Sequence, residues 1–372
     1  MKKILFIVTE DWYFISHRLN LAKLAISKGY EVSLLTKISA HENYINSFGI
    51  NVIDWPIERS SRNPIKELKS FYHIVKIVRR AKPDLLHAVA IKPVFYTIIS
   101  KLFFNKKGIV LALAGLGFIF RSKKFSAKFM RFFVVWMFRL FLIGDDVRLI
   151  VQNKDDLQLL MNLKILTHDK IRLIRGAGVN TDDFYSKNLL RDNLLVILPG
   201  RMLWDKGVGD FMRCAKRFSN EKVEVRFALI GEPDIHNPES VSLTHIKEWE
   251  NLGFIEYWGR QENMLEVYNK ADLVCFPSYH EGLPKALLEA ASCELPIVAY
   301  DVPGSREVVI DNENGFLVPF KDEDALFIAL MKLVVNPKLR RRMGLVGRQI
   351  VLENFTEDKI TSETIDVWEE VI

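Results

Sequence analysis

Glu281 and Glu289 flank the start of a predicted helix that follows the apolar residues 273–276. Pro284, between them, suits the first helical position, where the amide that proline lacks would have no partner. Free amides at a helix start, together with the helix dipole, favour an anion, and each carboxylate can accept hydrogen bonds from two hydroxyl groups. We therefore predict a site for a phosphate-bearing ligand with hydroxyl groups, although Glu281 alone could be an ordinary acidic first turn. The amides concerned belong to Gly282, Leu283 and Lys285.

A charged loop follows another apolar segment, residues 194–198. Gly200 allows a tight turn of the backbone, and Arg201 and Lys206 then place two cations near the carboxyl end of the predicted strand. Such cations would hold a diphosphate and stabilise the negative charge of a departing phosphate. The alternative is a charged surface loop, but the two glutamates farther along the chain make a binding site the better interpretation.

Alternating apolar strands and amphipathic helices must position these loops. That alternation predicts parallel sheets, so the fold class is α/β with doubly wound domains. A chain of 372 residues exceeds one hydrophobic core. A stretch rich in Gly, Asn, Asp and Ser at 176–191 divides it into predicted domains 1–185 and 186–372, and we expect the last helix to cross back to the first domain. Ligands would then bind in a cleft at the carboxyl ends of the strands.

The composition, 49% hydrophobic and 26% charged, is that of a folded protein rather than a disordered one. Cys214, Cys275 and Cys293 have no metal-ligand spacing, so we predict packed free thiols and a reducing cytoplasm. The string 322–324 is the sole Asp-x-Asp pattern of the chain. It reads as the start of a late helix, and we predict no required metal.

A basic and aromatic segment accounts for much of the net charge of +6. Residues 116–144 contain six Lys or Arg and no Asp or Glu. Five of these cations cluster on one helical stripe, namely Arg121, Lys124, Lys128, Arg131 and Arg139. A basic stripe beside Trp and Phe predicts an interfacial helix on an anionic membrane. The alternative is a core helix with a basic edge, and the two are compatible. The hydrophobic residues between the cations are continuous, which argues against a nucleic-acid-binding surface. No segment is apolar for long enough to span a bilayer.

With these motifs in place, the chain resembles the retaining family-4 glycosyltransferases of the GT-B fold over nearly its whole length. That family has two glutamates separated by seven residues, and a Gly-Arg…Lys-Gly loop. The matching residues are Glu281, Glu289, Gly200, Arg201, Lys206 and Gly207. By this resemblance Arg201 and Lys206 hold the donor diphosphate, Glu281 binds hydroxyls of the donor sugar and Glu289 binds the ribose.

Two further turns in the second half match the family. Gly231 lies in a strand-Gly-acidic turn that the family places beside the nucleoside, although Pro233 and Asp234 stand where a second glycine is usual. Residues 258–260, which end in Arg260, match a strand end that lines the base pocket, with ordinary packing as the alternative.

The first half resembles enzymes of bacterial polysaccharide and lipid-linked oligosaccharide assembly. A variant turn at residues 10–18 replaces the family's glycine-rich turn, and we expect Ser16 to cap the next helix and leave His17 and Arg18 near the cleft. His87 matches a strand that ends in His, where some members contact the sugar. The alternative is a packed histidine.

Gly115 and Gly117 resemble the branch that uses polyprenol-linked acceptors. Their backbone could approach an acceptor phosphate, and a simple strand-end turn is the alternative.

The resemblance implies a metal-independent, retaining transfer of a hexose or N-acetylhexosamine. The UDP-sugar donor would be the co-substrate with no other cofactor, and a polyprenyl-diphosphate-linked glycan would be the acceptor. We expect Glu281, Arg201, Lys206 and His87 to be catalytic, in a peripheral enzyme on the inner face of the bacterial cytoplasmic membrane. The alternatives are a nucleotide-sugar epimerase or phosphorylase of the same fold, and a catalytically inactive membrane-bound scaffold.

Overall fold

The computed structural model describes residues 1–58, 61, 63–104, 108–116, 125–142, 144–187, 193–235 and 237–372, without the side chains of 125–130, 133 and 141. The chain forms two compact units. Unit 1 is Met1–Ala177 with Asp358–Ile372, and unit 2 is Gly178–Glu357. The division therefore falls before the predicted 185/186 boundary, because the amide of Val179 already bonds to the carbonyl of Phe355 (2.9 Å).

Unit 1 contains a seven-stranded parallel sheet in the order β3-β2-β1-β4-β5-β6-β7. The strands are β1 Lys3–Glu10, β2 Glu31–Lys37, β3 Asn51–Asp54, β4 Leu85–Val89, β5 Gly108–Leu113, β6 Val147–Val151 and β7 Ile171–Leu173. Helices cover both faces, which explains why the strands are continuous apolar runs rather than alternating ones. The sequence pattern predicts strands at 4–9, 31–36, 52–55, 85–88, 109–113 and 149–152, which correspond to β1–β6. Strand β7 has three residues, too few for a pattern.

The helices of unit 1 form two layers. They are α1 Asp11–His17, α2 Leu19–Ser27, α3 Glu42–Asn46, α4 Pro64–Ala81, α5 Ile91–Ser100, α6 Phe125–Phe141, α7 Lys154–Asn162 and, at the end of the chain, α15 Glu357–Glu369. Helices α4 to α7 pack into one core on one face of the sheet, and α1 to α3 pack with α15 on the other. A short 3-10 helix, Lys101–Phe103, follows α5.

The predicted turn at residues 10–18 is helical. Ser16 lies inside α1 and Arg18 is the junction to α2, with no side-chain cap, so the predicted capping role of Ser16 is wrong. Asp11, the first residue of α1, is a buried carboxylate. It accepts hydrogen bonds from the amides of Trp12 (2.7 Å) and Ser39 (2.8 Å). Burial opposes ionisation, but the bonds from Ser39 lower the pKa of Asp11.

Unit 2 contains a six-stranded parallel sheet in the order β10-β9-β8-β11-β12-β13. The strands are β8 Leu195–Pro199, β9 Arg226–Ile230, β10 Glu256–Gly259, β11 Leu273–Phe276, β12 Ile297–Tyr300 and β13 Gly315–Val318. The helices are α8 Val208–Asn220, α9 Leu243–Asn251, α10 Met264–Lys270, α11 Lys285–Ser292, α12 Pro303–Val308, α13 Glu323–Val334 and α14 Pro337–Asn354. Strands β8 and β11, which precede the two predicted binding loops, are neighbours.

Two smaller predictions for unit 2 are confirmed. Cys214, Cys275 and Cys293 are free and buried. The acidic string at 322–324 begins α13, where the side chain of Asp322 caps the helix by accepting a bond from the amide of Ala325 (2.9 Å).

Candidate functional site

The two predicted binding loops of unit 2 meet at the carboxyl ends of β8 and β11. Lys206 Nζ donates to Glu281 Oε1 at 2.6 Å, and these side chains are 19% and 10% exposed. The backbone ties the loops together as well, since the amide of Tyr279 bonds to the carbonyl of Asp205 (2.8 Å). The tertiary structure therefore brings a cation and a carboxylate, predicted separately, to one place.

Gly207 makes this approach possible. Its φ is +72°, and a Cβ at this position would lie 2.0 Å from the carbonyl oxygen of Pro277. A left-handed φ is costly for residues with a Cβ. Glycine is therefore required where the loop of Lys206 passes the loop of Glu281.

Arg201 lies on the other side of the same loop. Its Nη1 donates to Asp234 Oδ2 at 2.7 Å, and both side chains are partly exposed. Asp234 belongs to the turn in which the usual second glycine is absent. The sequence did not predict that this departure would supply a carboxylate to the predicted diphosphate-binding arginine.

Gly200 and Gly231 lie at adjacent strand ends. A Cβ on Gly231, whose φ is +138°, would lie 1.9 Å from the carbonyl oxygen of Gly200. The amide of Gly231 bonds to the carbonyl of Gly259 (2.8 Å). The backbone at the carboxyl ends of β8, β9 and β10 is therefore closely packed.

Helix α11 begins one residue later than predicted. Pro284 is the residue before the helix, with φ −77° and ψ 113°, rather than its first position. Gly282 and Leu283 are half-buried in the turn that leads into it. Gly304, which the sequence analysis did not select, lies against this turn, because a Cβ there would be 2.7 Å from the Cβ of Glu281.

Glu289 lies in α11 with little of its side chain exposed. The hydroxyl of Tyr268 donates to Glu289 Oε2 at 3.0 Å, and Lys285 Nζ lies 3.9 Å from Oε1. Burial raises the pKa of Glu289, against the opposing effects of Lys285 and Tyr268. Tyr268 therefore fixes the orientation of the carboxyl group that we predicted to bind ribose hydroxyls.

A cavity of unit 2 lies beside Trp258 but not beside Arg260. Trp258 and Gln261 help to line a cavity of about 290 Å³, and the indole of Trp258 donates to Glu256 Oε2 (2.9 Å). Arg260 is exposed and does not line this cavity. A larger cavity of about 590 Å³ lies against Arg213 and Phe320, and no predicted site residue lines it.

The predicted site residues of unit 1 that the structure describes have the following positions. His17 stacks on Tyr13, with ring centroids 4.2 Å apart. Arg18 is 6% exposed, its Nη1 donates to the carbonyl of His17 (2.9 Å), and burial lowers its pKa. Gly115 is half-buried and follows the end of β5 by two residues. Gly117 lies outside the described residues.

His87 is a core residue in this structure. It lies within β4 rather than at its end, is 1% exposed and packs against Phe6 and Trp368. Its Nδ1 accepts a hydrogen bond from Trp368 Nε1 at 2.9 Å, which ties α15 to the sheet. The prediction that His87 contacts a sugar is therefore corrected in favour of the packed alternative.

We expect His87 to make unit 1 less stable in acid. Burial, followed by the charge of Arg18, holds the pKa of His87 well below its ordinary value of 6.5. Below about pH 6.5 the side chain of His87 is therefore protonated in the unfolded chain but neutral in the folded one. The free energy of unfolding should then fall by roughly 1 kcal/mol for each pH unit below that value. Denaturant unfolding between pH 5 and 8 measures this slope.

His87→Asn should flatten this pH dependence whatever its effect on stability at neutral pH. His168→Asn, which changes an exposed histidine of the same unit, is the matched control and should leave the slope unchanged. Equal slopes for the His87 variant and the wild type would contradict the assignment.

The described side chains of helix α6 divide between the core and the surface. Val134, Met137 and Phe138 are buried in the unit 1 core, whereas Phe132 and Trp136 are 71% and 51% exposed. Arg139 is exposed as well, so a cation and aromatic groups share the described part of the outer face. Residues 117–124, with Arg121, lie outside the described residues. Among those described, no helix has both the length and the apolar character needed to cross a bilayer.

The two units and their paired strand-end loops define a two-domain glycosyltransferase of the GT-B class. Residues 3–143 match the family model "Glycosyl transferase 4-like", and residues 180–350 match "Glycosyl transferases group 1". Together the two models cover most of the chain, which therefore belongs to the glycosyltransferases that they describe.

Three known proteins illustrate the relationship. An N,N'-diacetylbacillosaminyl-diphospho-undecaprenol alpha-1,3-N-acetylgalactosaminyltransferase of Campylobacter jejuni is 26% identical over 95% of each chain. A UDP-Gal:alpha-D-GlcNAc-diphosphoundecaprenol alpha-1,3-galactosyltransferase of Escherichia coli is 22% identical over 83% of this chain and 81% of its own. The structure of sucrose-phosphate synthase from Thermosynechococcus elongatus matches with a TM-score of 0.82 at 18% identity, over 100% of this chain and 99% of the other.

Proposed function

We propose that the protein transfers a hexose or N-acetylhexosamine from a UDP-sugar to a polyprenyl-diphosphate-linked glycan, with retention of anomeric configuration and without a metal. The donor binds unit 2 and the acceptor binds unit 1. The reaction contributes to a bacterial surface polysaccharide or oligosaccharide, at the inner face of the cytoplasmic membrane.

The observation that carries this proposal is the contact between Lys206 and Glu281 at 2.6 Å. A donor needs a cation for its diphosphate and a hydrogen-bond acceptor for its sugar hydroxyls, and this pair supplies both from adjacent strand ends. Arg201 lies on the same loop as Lys206 and adds a second cation. Together with the amides before α11, the two cations supply the charge stabilisation that a metal supplies elsewhere.

The relatives support the choice of substrates. The names of the Campylobacter and Escherichia proteins both give a diphospho-undecaprenol acceptor, and the second gives a UDP-sugar donor. Both proteins transfer sugars that fall within the proposed range of hexose and N-acetylhexosamine.

In the proposed reaction the bond between the anomeric carbon and the diphosphate breaks while the acceptor oxygen bonds to the same face of the sugar. The proton of the acceptor hydroxyl passes to the departing diphosphate. Arg201 and Lys206 stabilise the charge that develops on that diphosphate, and Glu281 orients the sugar. This assignment needs no carboxylate base.

Thermal stabilisation by UDP, GDP, ADP and dTDP, with and without EDTA, tests the proposal. A ligand at about 100 times its Kd should stabilise the fold by about 2.7 kcal/mol. We expect a shift with UDP that EDTA leaves unchanged. A shift with GDP alone would overturn the donor, and loss of the shift in EDTA would overturn metal independence.

The rival functions give different results in the same experiment and its sequel. No shift with any nucleotide would favour an inactive scaffold. Turnover of the nucleotide sugar in the absence of acceptor would favour an epimerase, and a requirement for inorganic phosphate would favour a phosphorylase.

A further inference from the structure

Helix α4 exposes a face that is both apolar and basic. Ile65, Leu68 and Tyr72 are 68%, 68% and 66% exposed. The one acidic residue of the helix is turned away from this face, because Glu67 is half-buried and accepts hydrogen bonds from Lys92 (2.9 Å) and Tyr96. The exposed cations of the helix are Lys66, Lys69, Lys76, Arg79 and Arg80.

Lys66, Lys69 and Arg80 lie to one side of the exposed apolar residues of that face, whereas Arg79 lies among them. At about 100° per residue, Leu68 lies toward Phe71, whereas Lys66 and Lys69 lie on the opposite side. The ring of Phe71 contacts that of Phe103 at 6.0 Å. The apolar side of α4 therefore continues onto the 3-10 helix Lys101–Phe103, where Leu102 and Phe103 are 66% and 46% exposed.

Helix α6 extends the same surface. Helices α4, α5 and α6 pack on one face of the sheet, and α5, between the other two, has no exposed residue. On α6, Phe132, Trp136 and Leu140 are 71%, 51% and 46% exposed. We call the exposed apolar residues of α4, the 3-10 helix and α6 the outer surface of unit 1.

The chemistry of the outer surface fits an anionic bilayer. Single exposed apolar residues are ordinary, but eight large ones on one helical layer mark an interaction site. Protein interfaces are depleted in lysine, whereas interfacial helices combine Lys and Arg with Trp, Phe and Leu. The sequences of α6 and the 3-10 helix contain no Asp or Glu, so anionic headgroups would meet no local repulsion from these elements.

We propose that α4 and the 3-10 helix Lys101–Phe103 form, together with α6, one continuous surface that docks unit 1 onto an anionic bilayer. The apolar side chains enter the headgroup region and the cations of α4 contact phosphate groups. The inference rests on the proposed function for the acceptor's location in a membrane, and it extends the membrane contact from one helix to three elements.

Flotation of the full-length protein with vesicles tests the inference. We expect the wild type to bind vesicles of equal parts phosphatidylglycerol and phosphatidylcholine, and to bind phosphatidylcholine alone much more weakly. Leu68→Ser/Tyr72→Ser should lower the partition coefficient at least tenfold, since binding scales with buried apolar area. Each of Lys69→Gln and Lys76→Gln should lower it about fivefold.

The controls separate this inference from the proposed function. Leu252→Ser/Val335→Ser changes residues of unit 2 that are 63% and 68% exposed, and it should leave the partition coefficient unchanged. If the α4 variants kept the wild-type partition coefficient while Trp136→Ser lowered it, the inference would be overturned. Membrane docking through α6 alone would then remain. Absence of wild-type binding to either vesicle would overturn the inference too, while stabilisation by UDP would still support the transferase. All variants should keep the wild-type Tm, because the changed side chains are exposed.

Discussion

Replacement of Arg201 by alanine should lower turnover by about 100-fold or more, the range found when one donor to a developing negative charge is removed. Arg201 lies on the loop after β8, and its side chain is 41% exposed and pairs with Asp234. A steady-state assay with UDP-sugar and acceptor measures the effect. We expect the main loss in kcat, because the charge on the diphosphate grows as the glycosidic bond breaks.

Two variants show whether the loss belongs to Arg201 or to its ion pair. Asp234→Asn breaks the same pair from the other side but keeps the guanidinium, so it should not lower kcat. Arg226→Ala removes an arginine that pairs with Glu256 (2.6 Å) at the amino end of β9, away from the strand ends that hold the site. It should leave turnover near that of the wild type. Near-normal turnover in Arg201→Ala would remove this residue from the mechanism.

Replacement of Gly207 by alanine should destabilise unit 2 by about 3 kcal/mol or more. The left-handed φ of +72° costs about 1–2 kcal/mol for a residue with a Cβ. The clash with the carbonyl of Pro277, at 2.0 Å, adds a cost like that of overpacking, about 1–3 kcal/mol. Because the clash separates the loop of Lys206 from that of Glu281, turnover should fall as well. Denaturant unfolding and the transferase assay measure the two effects.

Gly253→Ala is the matched control. Gly253 has nearly the same φ, +75°, in the same unit, but a Cβ there meets no atom within 4 Å. It should cost about 1–2 kcal/mol and leave turnover unchanged. Equal stability losses in the two variants would mean that the loops do not need the close approach at Pro277.

The local patterns of the chain predicted the two loops of unit 2 and the strand that precedes each of them. The apolar run before each loop, the glycine at position 200 and the proline at position 284 are short-range signals that act within a few residues. They cannot give the order of strands in a sheet. The contact between Lys206 and Glu281 depends on β8 and β11 being neighbours, which is a property of the whole unit.

The same limit explains the residues that were misjudged. Strand β4 is apolar on both faces, so its sequence has no alternation to show where His87 points. Its position was decided by Trp368, far along the chain. On helix α4, Ile65 and Leu68 face outward while Ile74 and Val78 enter the core. At about 100° per residue, Ile65 lies on the opposite side of the helix from Ile74.

The sequence by itself therefore determined the α/β fold class, the glycosyltransferase resemblance and the residues predicted to bind anions and hydroxyls, since each depends on periodicity or on a short motif. The tertiary structure alone decided which charges pair, with Asp234 on Arg201 and Glu281 on Lys206. It also places His87 in the core and the apolar side chains Ile65, Leu68 and Tyr72 of α4 on the surface. Side-chain partners and burial depend on contacts between segments far apart in the chain, and no local pattern contains them.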